Sequence, residues 1–146
     1  MNNIKRFEAI DFYQLDELYS DEQKLVRDSI RQFVDQEIIP NIEGWYEKNH
    51  FPTDIVKKMG GTGIFGPNVS PEYGGGGLDS ISYGLIMQEL ERGDSGMRST
   101  ASVQSSLVMY PIEAYGSEEQ KKKYLPKLAS GEMLGCFGLT EPDYGS

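Results

Sequence analysis

The sequence of 146 residues predicts a mainly α-helical domain of about six helices, followed by one short strand with no partner in the chain. Three observations carry that prediction. Serine-headed capping signatures, Ser20 with Gln23 and Ser117 with Gln120, stand before two segments that carry apolar residues among charged ones. Between them, apolar residues recur at the three- and four-residue spacing of a helix face. Only the run MLGCFGLT at 133–140 reads as a strand, and a strand needs neighbours for its backbone groups.

Residues 1–19 read as an irregular lead-in whose Phe7, Ile10, Phe12 and Leu15 are free to pack on the body. Ser20 then caps a helix with Asp21 and Glu22 in its first turn, where acids favour the helix dipole. Leu25, Ile30, Phe33, Val34 and Ile38 fall near one face, and Pro40 ends or kinks the helix. Residues 41–52 continue as a second helix or a loop. A short helix opens near Pro52 and Thr53 and is stopped by Gly60 and Gly61. PNVSPEYGGGGLD at 67–79 is a loop, with two prolines and four consecutive glycines. Asp79 or Ser80 caps the next helix, with Ile81, Leu85, Ile86 and Leu90 as its apolar stripe. The following segment reads as helical through Tyr110 but is rich in Ser, Ala and Gly, which lets a neighbouring backbone or a ligand approach closely. Ser117 opens the last helix.

Hydrophobic residues make up 38% and charged residues 25%, the balance of a soluble globular domain. The net charge of −9 argues against a nucleic-acid partner and against docking on anionic lipid. No apolar run approaches the roughly 20 residues of a membrane span. The N-terminus has no signal-peptide core and is too acidic for a transit peptide, so the expectation is a cytoplasmic protein, or one without its leader. Cys136, the single cysteine, permits no internal disulfide and reads as a buried, inert thiol. His50 has no second histidine or nearby cysteine, which makes a metal site an unfavoured reading. Gly74–Gly77 lacks the Lys-Ser/Thr of a phosphate loop and reads as a plain flexible turn. Lys121, Lys122 and Lys123 read as a solvated helix face, and the methionines as core filler.

Arg98 stands among residues too small to bury it. Its guanidinium either forks onto a ligand carboxylate or pairs within the chain with Asp94 or Glu91. Glu89 and Glu91 are open to reading as a base pair, although carboxylates two apart on a helix point to different faces.

Two stretches add a resemblance. FGLTEPDYGS at 137–146 resembles the flavin-binding signature of the acyl-CoA dehydrogenases, and YGSEEQKKKYLPKLASGE at 115–132 resembles the helix and turn that lead into it. With ELERGDSGMRSTASVQSSLVMYPIEAYG at 89–116, the likeness extends to the branch of that family acting on glutaryl-CoA. The family fold has an N-terminal helical domain, a middle β-domain and a C-terminal helical domain. The resemblance therefore implies that residues 1–133 are the helical domain and residues 134–146 the incomplete start of the β-domain, beginning with its first strand. It implies FAD as cofactor, glutaryl-CoA or a similar acyl-CoA as substrate, and oxidative decarboxylation to crotonyl-CoA, a step of lysine and tryptophan degradation. It further implies an electron-transferring flavoprotein as electron acceptor and a homotetramer for the whole enzyme. The family's catalytic glutamate has no counterpart here, so no catalytic residue is assigned in this chain, and the fragment alone is expected to be inactive.

By the same resemblance, Arg98 and Ser99 would meet the far carboxylate of the substrate, with Glu91 orienting the arginine. Phe137, Gly138, Leu139, Thr140, Glu141, Pro142, Gly145 and Ser146 would line the cofactor, and Ser146 would also reach the thioester ligand. Asp143 and Tyr144 depart from the smaller residues common at those positions. In this chain alone, residues 138–146 are expected to lack packing of their own. Two other readings stand beside this one: a relative that oxidises an uncharged short acyl chain, and a helical binding module that uses no flavin.

Overall fold

The structure, a computed structural model, describes residue 10 and residues 12–145. A 3-10 turn at Leu15–Leu18 leads into α1 (Asp21–Phe33), which runs on through a π-helical turn at Val34–Ile38. After α2 (Ile42–Glu47) and α3 (Thr53–Gly61), a loop with a 3-10 turn at Pro71–Tyr73 reaches α4 (Ser80–Gly93). Then α5 (Ser95–Ser102), a π-helical segment at Val103–Met109 and α6 (Tyr110–Tyr115) form one long rod, and α7 (Glu118–Ala129) follows. Counting that rod once, the described residues hold the expected six helices.

The predicted caps form. The Gln23 N–H donates to the Ser20 hydroxyl at 3.2 Å, and the Gln23 side chain accepts the Ser20 N–H at 2.9 Å. Ser117 and Gln120 repeat the arrangement at the head of α7. Asp79, not Ser80, caps α4 and accepts the Ser82 N–H at 2.7 Å. Both π turns come just before a proline, Pro40 or Pro111. Proline has no N–H, and its ring crowds the carbonyl four residues back, so a wider turn spares that clash. Accordingly, Ile39 donates five residues back to the Val34 carbonyl, and Tyr110 to that of Ser105.

The core lies where α1, α4 and the long rod pack side by side, closed by α3 and α7. Val34, Ile38, Met59, Leu90, Met109 and Leu125 are fully buried there. Two stripe residues fall elsewhere. Leu25 is exposed, because it lies about 140° around α1 from Ile30 while Val26 lies on the buried side. Ile81 is half exposed, because the buried arc of α4 is centred on Ser82, Ile86 and Glu89. In the lead-in, Ile10 and Phe12 are exposed and Leu15 partly so, while Phe7 lies outside the described residues. What holds the Leu15–Leu18 turn to α1 is an ion pair between Asp16 and Arg27, which keeps the Asp16 carboxyl below its usual range.

The glycine run is not a flexible turn. It folds back on residues 66–69: Gly76, Gly77 and Leu78 donate N–H groups to the Gly66, Val69 and Pro67 carbonyls at 3.2, 2.9 and 2.7 Å. A Cβ on Gly75 would stand 2.1 Å from the Val69 carbonyl oxygen, so the backbones meet at a distance no other residue permits.

The run at 133–140 forms no strand, since no second strand exists among the described residues to pair with it. Cys136 is exposed for the same reason, against the expectation of a buried thiol.

Candidate functional site

Asp94 ends α4 and caps α5, accepting the Met97 N–H at 2.8 Å. Met97 plugs into the core, and this sets the rotation of α5 so that Arg98 faces outward, partly exposed. Its Nε donates to Glu91 Oε2 at 2.7 Å, and Ser95 Oγ donates to Glu91 Oε1 at 2.6 Å. Hydrogen bonding by Ser95 and then Arg98 holds the Glu91 carboxyl below the usual carboxylate range. Of the two carboxylates considered for Arg98, Glu91 is therefore the partner, and Asp94 is committed to its cap.

One turn further on, Ser102 Oγ stands 3.5 Å from the Arg98 guanidinium and itself donates to the Ser99 carbonyl. Among the described residues, no hydrogen bond joins the Ser99 side chain to Arg98. Sequence reasoning missed Ser102, although the spacing of four residues, which puts two side chains on one helix face, was there to find it. The cluster of Glu91, Ser95, Arg98 and Ser102 presents a guanidinium steadied along one edge, with further N–H donors for a planar anion.

Glu89 belongs to a different structure. It is 2% exposed, accepting two bonds from Arg31 at 2.6 and 3.1 Å and one from Arg92 at 2.9 Å. Arg92 continues to Asp35 at 2.8 Å. This network ties α1 and its π turn to α4, and Glu89 and Glu91 do not form a base pair.

The second group of predicted residues follows the last helix. The chain leaves the body at Gly135, whose N–H donates to Gln104 Oε1 at 2.9 Å. Beyond it, Phe137, Gly138, Leu139, Thr140, Glu141, Pro142 and Gly145 are all exposed. Glu141 and Tyr144 exchange backbone hydrogen bonds at 3.0 and 3.2 Å, which closes a turn around Pro142 and Asp143. Ser146 lies outside the described residues.

This donor set suits the polar edge of a flavin ring. Among the described residues, the backbone groups of Leu139 and Thr140 and the Thr140 hydroxyl make no hydrogen bond. Nothing stands within 4 Å of a Cβ placed on Gly138 or Gly145, so neither backbone is covered by another part of the described chain. None of the predicted site residues lines either of two clefts, of about 240 and 340 Å³. Glu91 and residues 137–142 and 145 stand exposed, while Arg98 and Ser99 are part-buried. Among the described residues, no group of His, Cys, Asp and Glu could hold a metal, and no helix is long and apolar enough to cross a membrane.

The family model "Acyl-CoA dehydrogenase, N-terminal domain" matches residues 20–132. A glutaryl-CoA dehydrogenase of Desulfococcus multivorans is 42% identical over 130 residues, which is 87% of this chain and 33% of that protein. The human mitochondrial short-chain specific acyl-CoA dehydrogenase is 41% identical over 135 residues, 92% of this chain and 32% of that one. The crystal structure of a glutaryl-CoA dehydrogenase from Mycobacterium smegmatis in complex with FADH2 superposes with a TM-score of 0.86 at 48% identity, over 92% of this chain and 34% of that one. The chain spans about a third of the length of these relatives.

Proposed function

The chain belongs to the acyl-CoA dehydrogenase family, and on that premise we propose that the whole protein is an FAD-dependent dehydrogenase of glutaryl-CoA, yielding crotonyl-CoA and carbon dioxide. One observation carries the choice of substrate: Arg98 is held by Glu91 with Ser102 beside it, a fork suited to a carboxylate. A charged acyl terminus entering a dry pocket needs such a cation and its hydrogen bonds.

In this reading residues 1–133 are the helical domain and residues 134–146 open the β-domain. Leu139 and Thr140 offer N–H groups and a hydroxyl to the flavin edge, Phe137, Gly138, Glu141 and Pro142 shape the approach, and Gly145 and Ser146 reach the diphosphate. Bound FAD supplies the two-electron acceptor for oxidation of the Cα–Cβ bond. Arg98 and Ser99 hold the far carboxylate, with Glu91 and Ser102 steadying the guanidinium. The base comes from outside this chain, so the chain alone is inactive. An electron-transferring flavoprotein as acceptor, a homotetramer and a cytoplasmic location complete the proposal.

A second reading, oxidation of an uncharged short acyl chain, draws on the short-chain relative and on Glu91, which already neutralises Arg98. Turnover of glutaryl and butyryl thioesters by the full-length protein separates the two. We expect a preference for glutaryl-CoA that Arg98→Gln reduces by about 10- to 100-fold, the worth of a charge-assisted contact. A preference left unchanged by that substitution overturns the substrate assignment.

A further inference from the structure

Gln104 lies in the π-helical segment of the long rod, 1% exposed. Its side-chain amide is fully used on backbone groups. The Nε2 donates to the Leu128 carbonyl at 2.9 Å and to the Met133 carbonyl at 2.8 Å, and Oε1 accepts the Gly135 N–H at 2.9 Å. Two carbonyls and one N–H fix which end of the amide is which. The three partners are the end of α7 and the two residues through which the chain departs. No other uncharged side chain reaches this far with two donors and an acceptor in one plane: Asn is a methylene shorter, Glu lacks donors and Leu lacks all three.

The same exit is fixed sterically. A Cβ on Gly135 would stand 2.4 Å from Val108 Cγ1, so residue 135 lies directly against the rod. Among the described residues, the Gly135 to Gln104 bond is the last hydrogen bond to the body before the segment 137–145 begins. The segment therefore departs from the body at this contact.

We infer that Gln104 is a positioning residue: it sets the register of residues 137–145 on the helical body, and so the placement of Leu139 and Thr140 against the cofactor. The inference rests on the proposed FAD site. Gln104 lies two residues beyond Ser102 on one rod, so the rod that carries the carboxylate fork also carries the anchor of the flavin segment.

The test uses the full-length protein, FAD titration and amide hydrogen exchange. In Gln104→Leu, the Kd for FAD should rise at least about tenfold and the amides of 137–145 should lose the protection that FAD confers, with the thioester KM at saturating FAD within about twofold. Gly135→Ala acts on the same contact from the tail side and serves where Gln104→Leu does not fold. It should weaken FAD in the same way, and adding Val108→Ala, which removes the obstructing methyls, should restore it. FAD affinity and tail protection within twofold of wild type in a folded variant overturn the inference. If the unsubstituted protein binds no FAD, the flavin reading itself fails, and this is seen before any variant is made.

Discussion

In the helical body, no buried side-chain nitrogen or oxygen among the described residues lacks a partner, and this includes Glu89, Gln104 and Ser105 in its interior. Past Gly135 the balance reverses. Phe137, Leu139 and Tyr144 are 51%, 57% and 73% exposed, and among the described residues one backbone pair organises the turn. The body fills its own hydrogen-bonding capacity, whereas the tail leaves donors and apolar side chains unsatisfied. A region of the first kind has its polar groups satisfied from within, and a region of the second kind leaves them to solvent.

Substitutions should separate the two regions, with the largest effects in the body. Glu89→Gln leaves Arg31 and Arg92, both part-exposed, facing a neutral group, and should lower unfolding stability by about 1.5–3 kcal/mol in chemical denaturation. A loss below 1 kcal/mol would mean that the network does not hold α1 to α4. Gly75→Ala forces a methyl onto the Val69 carbonyl and should cost about 1–3 kcal/mol by the same measurement, where a flexible turn would show no loss. Ser117→Ala removes half of a capping box and should cost about 1 kcal/mol.

A pH series tests the body from another direction. The Ser82 backbone N–H, then Gln23, hold the Asp79 carboxyl below its ordinary value, and Asp16, Glu91 and Glu118 are also lowered. A carboxyl lowered in the fold stabilises it above the unfolded pKa, and that contribution is lost as pH falls through the folded pKa. The denaturation midpoint should therefore decline as pH drops below about 4. Asp79→Asn keeps an acceptor at the cap and should flatten part of that decline; an unchanged slope would rule Asp79 out as a contributor. The smallest effect belongs to the tail: Phe137→Ala should leave stability within about 0.5 kcal/mol.

What was legible in the sequence was what is local. Ser20 with Gln23 and Ser117 with Gln120 signal helix starts because each cap is closed within four residues. The family was legible as strings at 89–116 and 115–132, inside the stretch that the family model matches. The glycine run was misread because its packing depends on the carbonyls of residues 66–69, a contact that composition does not encode. Glu89 was ambiguous until Arg31 arrived from 58 residues away, and Gln104 drew no notice because its partners lie 24 to 31 residues further on. Cys136 was taken as buried because a strand was expected around it, and the pairing edge that would bury it is absent from the described residues.

The contrast between a closed body and an open tail is tested most directly by native-state hydrogen exchange on this chain. The account predicts that amides beside the fully buried Val34, Leu90 and Leu125 exchange only by global unfolding, that the Gly135 amide held by Gln104 is protected, and that those of Phe137 to Thr140 exchange at nearly unprotected rates. Protection of Phe137 to Thr140 equal to that of the helices, with no ligand added, would contradict it.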